Sequence, residues 1–133
     1  MTAAAAGRAL ITGAMGQVGL ALQERVPGGW TVIACDMDEL DVTRSDQVQA
    51  VLRRERPTVV IHTAAYTAVD EAETDVARAE GVNARGTAHV ADAAREIGAR
   101  LIHVSTDFVF DGAHGRPYSP DDQPHPLGVY GRT

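Results

Sequence analysis

Ala9-Leu10-Ile11-Thr12-Gly13-Ala14-Met15-Gly16-Gln17-Val18-Gly19-Leu20-Ala21-Leu22 decides how this chain of 133 residues is read. A short apolar strand, Leu10-Ile11-Thr12, runs into Gly-x-x-Gly-x-x-Gly at Gly13, Gly16 and Gly19, and a helical pattern, Val18, Leu22 and Val26, runs out. Glycine at the first position permits the tight reversal, at the second it lets backbone approach a pyrophosphate, and at the third it lets helix and strand pack closely. The N–H groups opening the helix face an anion, and the helix dipole favours negative charge there. Three glycines at this spacing can also build a plain strand-to-helix corner. Asp36, ending the next strand about 20 residues on as a dinucleotide fingerprint asks, tips the reading towards a nucleotide.

The length allows one domain with a real core, but is short for a complete doubly wound enzyme. The formal charge of −6, with twelve scattered basic residues that are all arginine, disfavours nucleic acid and anionic membranes as partners. The single cysteine, Cys35, cannot form an internal disulfide and reads as a small buried residue, which suits a reducing cytoplasm. Residues 1–7 lack the basic start and apolar run of a secretory signal and are expected to form a disordered tail before a domain spanning residues 8–133. No apolar stretch approaches the roughly 20 residues that cross a bilayer.

After Pro27-Gly28-Gly29, Thr31 to Cys35 is a continuous apolar run of the kind a parallel sheet buries on both faces. Thr43 or Ser45 can cap a helix with the stripe Val48, Val51 and Leu52, which Pro57 stops. Thr58 to Ile61 is a third strand, and small residues follow at its carboxyl end. Between Asp70 and Gly98 a long helical pattern puts Val76, Ala79, Val90, Ala93, Ala94 and Ile97 on one face. Asn83 shares that face, where an unpartnered polar group costs about 1–3 kcal/mol, so it is either a structural bridge, the favoured reading, or part of a site. Leu101 to Ser105 is a fourth strand, and the glycines and prolines beyond Phe110 imply a long functional loop until Tyr130. Alternating strands and helices imply an α/β fold: a Rossmann-type doubly wound parallel sheet in the order 3-2-1-4. Ligands of such sheets lie beyond the carboxyl ends of the strands, which gathers Gly13 to Gly19, Asp36, Ala64 to Thr67 and Ser105 to Asp107 on one edge. The Asp36 carboxylate suits a ribose diol and repels a 2′-phosphate, favouring NADH over NADPH. The five histidines show no zinc-ligand spacing, so no metal is expected.

Thr12 to Gly19, Ala64-Ala65-Tyr66-Thr67-Ala68-Val69-Asp70-Glu71-Ala72-Glu73, Val82-Asn83, Ser105-Thr106-Asp107-Phe108-Val109-Phe110-Asp111-Gly112 and Pro126 to Gly131 together resemble the dTDP-4-dehydrorhamnose reductases, which are extended short-chain dehydrogenases. The resemblance runs from Arg8 nearly to the end of the chain. It implies NAD(P)H-dependent reduction of a nucleotide-linked 4-keto-6-deoxysugar, with Thr106 and Tyr130 as the catalytic hydroxyls at the sugar ketone. An alkoxide forms as hydride arrives, so hydrogen bonds and a proton donor must stand at that oxygen. A phenol, ordinarily of pKa near 10, serves at neutral pH only beside a cation. The family supplies that cation as the lysine of Tyr-x-x-x-Lys, which would stand one position beyond Thr133. The chain is therefore expected to be the truncated amino-terminal part of such a reductase, without the later strands and the substrate domain, and inactive alone.

By the same resemblance Gly16, Gln17 and Val18 line the pyrophosphate, Asp41 and Val42 flank the adenine, Ala65, Tyr66 and Thr67 contact the cofactor near its ribose, and Asp107 meets the substrate sugar. His62-Thr63 stands where the family commonly has Asn-Ala. Leu20-Ala21 stands where some members carry a metal-binding glutamate, so a homodimer of the full-length protein would not rest on magnesium at that position. A different class of function, a non-catalytic dinucleotide-binding subunit like the beta subunit of methionine adenosyltransferase, shares the same fold. Thr106 with Tyr130 favours the enzyme.

Overall fold

The computed structural model describes residues 6–133. Strand β1 (Gly7–Thr12) leads to helix α1 (Gln17–Glu24), β2 (Trp30–Cys35), α2 (Ser45–Glu55) and β3 (Val59–His62). Two short helices, α3 (Val69–Ala72) and α4 (Val76–Ala79), precede a π-helical segment Glu80–Gly86 and α5 (Thr87–Ile97). Then come β4 (Arg100–His103), a 3₁₀ turn Asp107–Val109 and α6 (Val129–Arg132). Gly7 already belongs to β1, and the Ala6 N–H donates to the Gly29 carbonyl at 2.8 Å. The sheet thus begins inside the segment expected to be a tail, whose first five residues lie outside those described.

All four strands are parallel, in the order β2-β1-β3-β4. The doubly wound class is as expected. The order is not: β3 lies beside β1 rather than outside β2. The reason is where the α2 stripe goes. Val48, Val51 and Leu52 are buried with Leu10 of β1, Val60 of β3 and Val90, Ala93 and Ala94 of α5. A helix seated across β1 and alongside α5 delivers the next strand to the far edge of β1. The Thr58 N–H donating to the Arg8 carbonyl at 2.8 Å fixes the register. In the order 2-1-3-4 the direction of winding switches between β1 and β3, and the crevice opens at their carboxyl ends.

The two faces of the sheet differ. Leu10, Val60 and the α2–α5 layer form the main core. Among the described residues the opposite face meets the eight-residue α1 and the turn after it, with Leu22 and Val26 near Ile11, Ile61 and Ile102. Burial of β2 on both faces is therefore not realised, since Ala34 is exposed, and at the sheet edge Ile102 of β4 is 48% accessible.

The single long helix read between Asp70 and Gly98 is also broken. Val76 lies 40% exposed, because the break after Ala72 turns α4 to a new direction. Neither Thr43 nor Ser45 caps α2; the cap position is Arg44, and the Thr43 hydroxyl donates to Asp41 Oδ1 at 2.7 Å. Pro57 follows Arg56, whose left-handed backbone (φ 44°) closes the helix.

Candidate functional site

The glycine turn is built as the residue spacing demands. Gly13 has φ 61°, and a Cβ on it would stand 2.8 Å from the Ala64 backbone, so β1 and the segment after β3 touch through that glycine. A Cβ on Gly19 would meet Ala14 backbone carbons at 2.8 Å. Leu20 N–H donates to the Gly16 carbonyl at 2.9 Å, closing the first helical turn. No side chain caps α1, and its first turn holds no acid. The opening amides and the dipole are thereby left to an outside anion.

These amides border a groove of about 820 Å³ lined by Gly13, Gly16, Gln17, Val18, Gly19, Asp36, Asp41, Val42, Ala64, Ala65, Tyr66 and Thr67. Every residue expected on the nucleotide side thus lines one groove. Asp36 ends its strand in a tight turn: its N–H donates to Glu39 Oε2 at 2.9 Å, and its Oδ1 accepts from Met37 N–H at 3.0 Å. Asp41 Oδ1 accepts from the Thr43 N–H at 2.9 Å, which shapes the loop beside it.

The far wall is held by Asn83. Its Oδ1 accepts from Tyr66 N–H at 2.8 Å, and its Nδ2 donates to the Tyr66 carbonyl at 3.1 Å and to Thr133 Oγ1 at 3.0 Å. Asn83 is the structural bridge expected of it, and the backbone that it grips belongs to the groove. The π-helical segment carries it, a local widening often found at functional sites. Arg78, its guanidinium 5.3 Å from the Tyr66 ring centre, and Val82 also line the groove. The sequence offered Val82 as part of Val82-Asn83 in the resemblance and gave no sign of Arg78 beyond its i, i+4 spacing from Val82.

A second groove of about 380 Å³ continues from the first through Val18, Thr63, Ala64, Ala65 and Thr67, and both Thr106 and Tyr130 line it. Thr106 Oγ1 accepts from Phe108 N–H at 3.2 Å, capping the 3₁₀ turn, and donates to Asp107 Oδ1 over a long 3.4 Å. Tyr130 rides on α6, whose first amide, Val129 N–H, donates to Glu73 Oε1 at 2.7 Å. A small core of Ala72, Ala79 and Val129 seats that helix, and the Phe108 ring meets Tyr130 edge-on at 5.4 Å. Asp107 is not brought into this groove. It lines a separate hollow with Phe110, Pro120 and Asp121, on the other side of Thr106.

The long loop is ordered by its own polar groups. The Asp111 carboxylate accepts from Ala113 N–H at 2.9 Å, Tyr118 Oη at 2.8 Å and His125 Nδ1 at 2.8 Å, and the Phe110 and Tyr118 rings stack at 4.2 Å. Arg116 grips Asp122 through two bonds of 2.9 and 2.8 Å. The Ala113 amide, then His125 and Tyr118, hold the Asp111 carboxyl well below the usual carboxylate range. A carboxyl depressed on folding stabilises the ordered loop above its unfolded value of about 3.8 and loses that contribution as pH falls below it. Amide protection in residues 107–126, taken relative to the intrinsic exchange rate at each pH, should therefore fall as pH drops below 3.8, ahead of protection in α2 and α5.

Among the described residues no group of His, Cys, Asp or Glu is arranged to hold a metal ion, and no helix is long and apolar enough to cross a membrane. Cys35 is buried at the end of β2, and burial, with Glu39 and Glu55 nearby, pushes its thiol up to about 11.

Comparison with known proteins places this geometry in context. Residues 7–133 match the model of the RmlD substrate binding domain family. A dTDP-4-dehydrorhamnose reductase of Aggregatibacter actinomycetemcomitans is 44% identical over 128 residues, covering 95% of this chain and 44% of the relative. A crystal structure of a dTDP-4-dehydrorhamnose reductase from Bacillus anthracis in complex with NADP superposes with a TM-score of 0.93 at 41% identity, covering 95% of this chain and 45% of that one. The UDP-glucose 4-epimerase of Thermus thermophilus, complexed with NAD, shares the fold with a TM-score of 0.81 at 24% identity, covering 94% and 46% of the two chains. The chain spans less than half the length of these relatives. With that match running from the first strand to the last residue, the chain belongs to the RmlD substrate binding domain family.

Proposed function

We propose that this chain supplies the nicotinamide-dinucleotide half of a reductase that acts on a dTDP-linked 4-keto-6-deoxysugar. The observation that carries the reading is the continuity of the two grooves: uncapped helix amides and Asp36 border one, Thr106 and Tyr130 border the next, and Val18 and Ala64 belong to both. Relatives named for that reduction and a neighbour complexed with NADP support it.

The residues present fit such a cofactor, since a groove of this size lies within the usual range for small-molecule sites and the Gly13 and Gly19 contacts leave no room for a Cβ. The Gly16–Val18 amides would hold the pyrophosphate, Asp36 the adenosine ribose, and Asp41, Val42 and Tyr66 the flanks. The bound dinucleotide would supply hydride to the sugar ketone. Thr106 turns its hydroxyl proton from the weak Asp107 bond to the ketone oxygen. Tyr130 gives its phenolic proton to the same oxygen, so charge building there is neutralised as it forms. Thr106 and Asp107, which flank one strand end, are the residues proposed to meet the sugar.

This reading treats the 133-residue chain as binding cofactor without turnover, because the lysine that would lower the cost of deprotonating the phenol is not among its residues. Fluorescence titration should show NADH binding, with no NADH oxidation on dTDP-4-keto-6-deoxymannose; turnover by the chain alone would refute the division of labour. Asp36→Ala should weaken NADH about tenfold, as loss of a charged hydrogen bond does, and NADPH much less. Equal loss for both cofactors would remove Asp36 from the ribose.

A further inference from the structure

His62 is 1% exposed, yet neither the glycine turn nor the two hydroxyls of the second groove account for it. Its surroundings determine its protonation. Thr12 Oγ1 accepts from Thr63 N–H and Ala64 N–H, each at 3.2 Å, which occupies both of its lone pairs. Its one proton must then go to the remaining neighbour, His62 Nδ1, at 2.7 Å. Nδ1 is therefore a bare acceptor, and the ring hydrogen sits on Nε2, which donates to Thr87 Oγ1 at 3.1 Å. The Thr63 hydroxyl adds a bond to the Thr12 carbonyl at 2.6 Å.

We infer that His62 is a positioning residue for the dinucleotide groove: as a neutral imidazole it takes the Thr12 proton at Nδ1 and so locks the carboxyl ends of β1 and β3 together beneath the glycine turn. The lock sits at the place where the winding switches and where Gly13 touches Ala64. Were Nδ1 to gain a proton, two donors would face each other, Thr12 would rotate, and at least one of the Thr63 and Ala64 amides would lose its acceptor. Burial, with the stacked His103 ring of β4 acting in the same sense, holds the His62 pKa down to about 4, which keeps the acceptor bare at neutral pH. The other elements around it present uncharged Thr12 and Thr87, with Tyr130 and Arg132 across the second groove.

The inference rests on the groove being a dinucleotide site, and the test separates the two. Nitrogen chemical shifts of the 133-residue chain at pH 7 should report an unprotonated Nδ1 and a protonated Nε2 on His62; the opposite tautomer would overturn the lock. His62→Leu removes the acceptor, and NADH affinity should fall about tenfold. His62→Asn places an amide oxygen near the Nδ1 position and should restore affinity to within about threefold. Amide exchange at Thr63 and Ala64 should accelerate in His62→Leu and return towards the wild-type rate in His62→Asn, with β1 residues 9–11 unchanged in both. Wild-type affinity in His62→Leu, or unaltered exchange at those two amides, would overturn the inference. A wild-type chain that binds neither NADH nor NADPH would overturn the groove reading instead, leaving the tautomer and the exchange rates to decide the role of His62.

Discussion

Gly19→Ala is expected to lower stability by about 3 kcal/mol and the Tm by about 10 °C. The added methyl would lie 2.8 Å from the Cα and carbonyl carbon of Ala14. Backbone cannot step aside as the end of a flexible side chain can, so α1 must lift off β1. The same movement withdraws the opening amides from the groove, and dinucleotide binding should be lost with the stability. Two neighbouring glycines separate the effects. A Cβ on Gly28 meets nothing within 4 Å, so Gly28→Ala should be neutral in both assays. On Gly16 it meets only the Gly13 carbonyl at 3.2 Å, so Gly16→Ala should keep the fold while its methyl obstructs the approach of a pyrophosphate. Thermal unfolding followed by circular dichroism, beside NADH titration, checks all three. A Gly19→Ala chain that melts like the wild type would mean that helix and strand are not in the close contact described.

Leu10→Ala is expected to destabilise by about 4 kcal/mol, within the range for deleting a fully buried leucine side chain. Leu10 is 0% exposed and sits between β2, β3 and the α2–α5 layer. The cavity would open at the centre of the sheet face that the α2–α5 layer covers. Ile102→Ala, on the other face and 48% accessible, should cost less than about 1 kcal/mol. Urea unfolding with an unchanged m-value would measure both. Similar losses at the two positions would show that the second face is covered in solution by something other than α1.

Much of this was legible from residues alone. Gly13, Gly16 and Gly19 between an apolar run and a helical stripe permit few arrangements, because glycine is needed where backbone meets backbone. Val48, Val51 and Leu52 showed the buried side of α2 by their spacing, and all three are buried. The site residues from Gly13 to Thr67 could be gathered because parallel strands all end on one edge. The break in the helix at Ala72 left a fainter trace. Residues 70–97 keep a helical composition throughout, and the one turn, between α3 and α4, lies where α6 packs on Ala72 and Ala79; from Val76 the helix runs unbroken through the π-helical segment to Ile97. Asp107 lines the hollow next to the second groove while its carboxylate lies 3.4 Å from the Thr106 hydroxyl, a placement set by the 3₁₀ turn that Thr106 caps and not by any periodicity in the sequence.

The sequence by itself determined the alternation of strands and helices, the glycine turn and the acidic residue at the end of the next strand, because each depends on local backbone sterics and short-range periodicity. Only the tertiary structure decided that β3 joins the far edge of β1, that among the described residues one sheet face is less covered than the other, and that His62, fifty residues along the chain from Thr12, is hydrogen-bonded to it. Those outcomes depend on which apolar stripe packs on which strand and on which lone pairs remain once the backbone amides are satisfied. Neither quantity exists until distant segments meet.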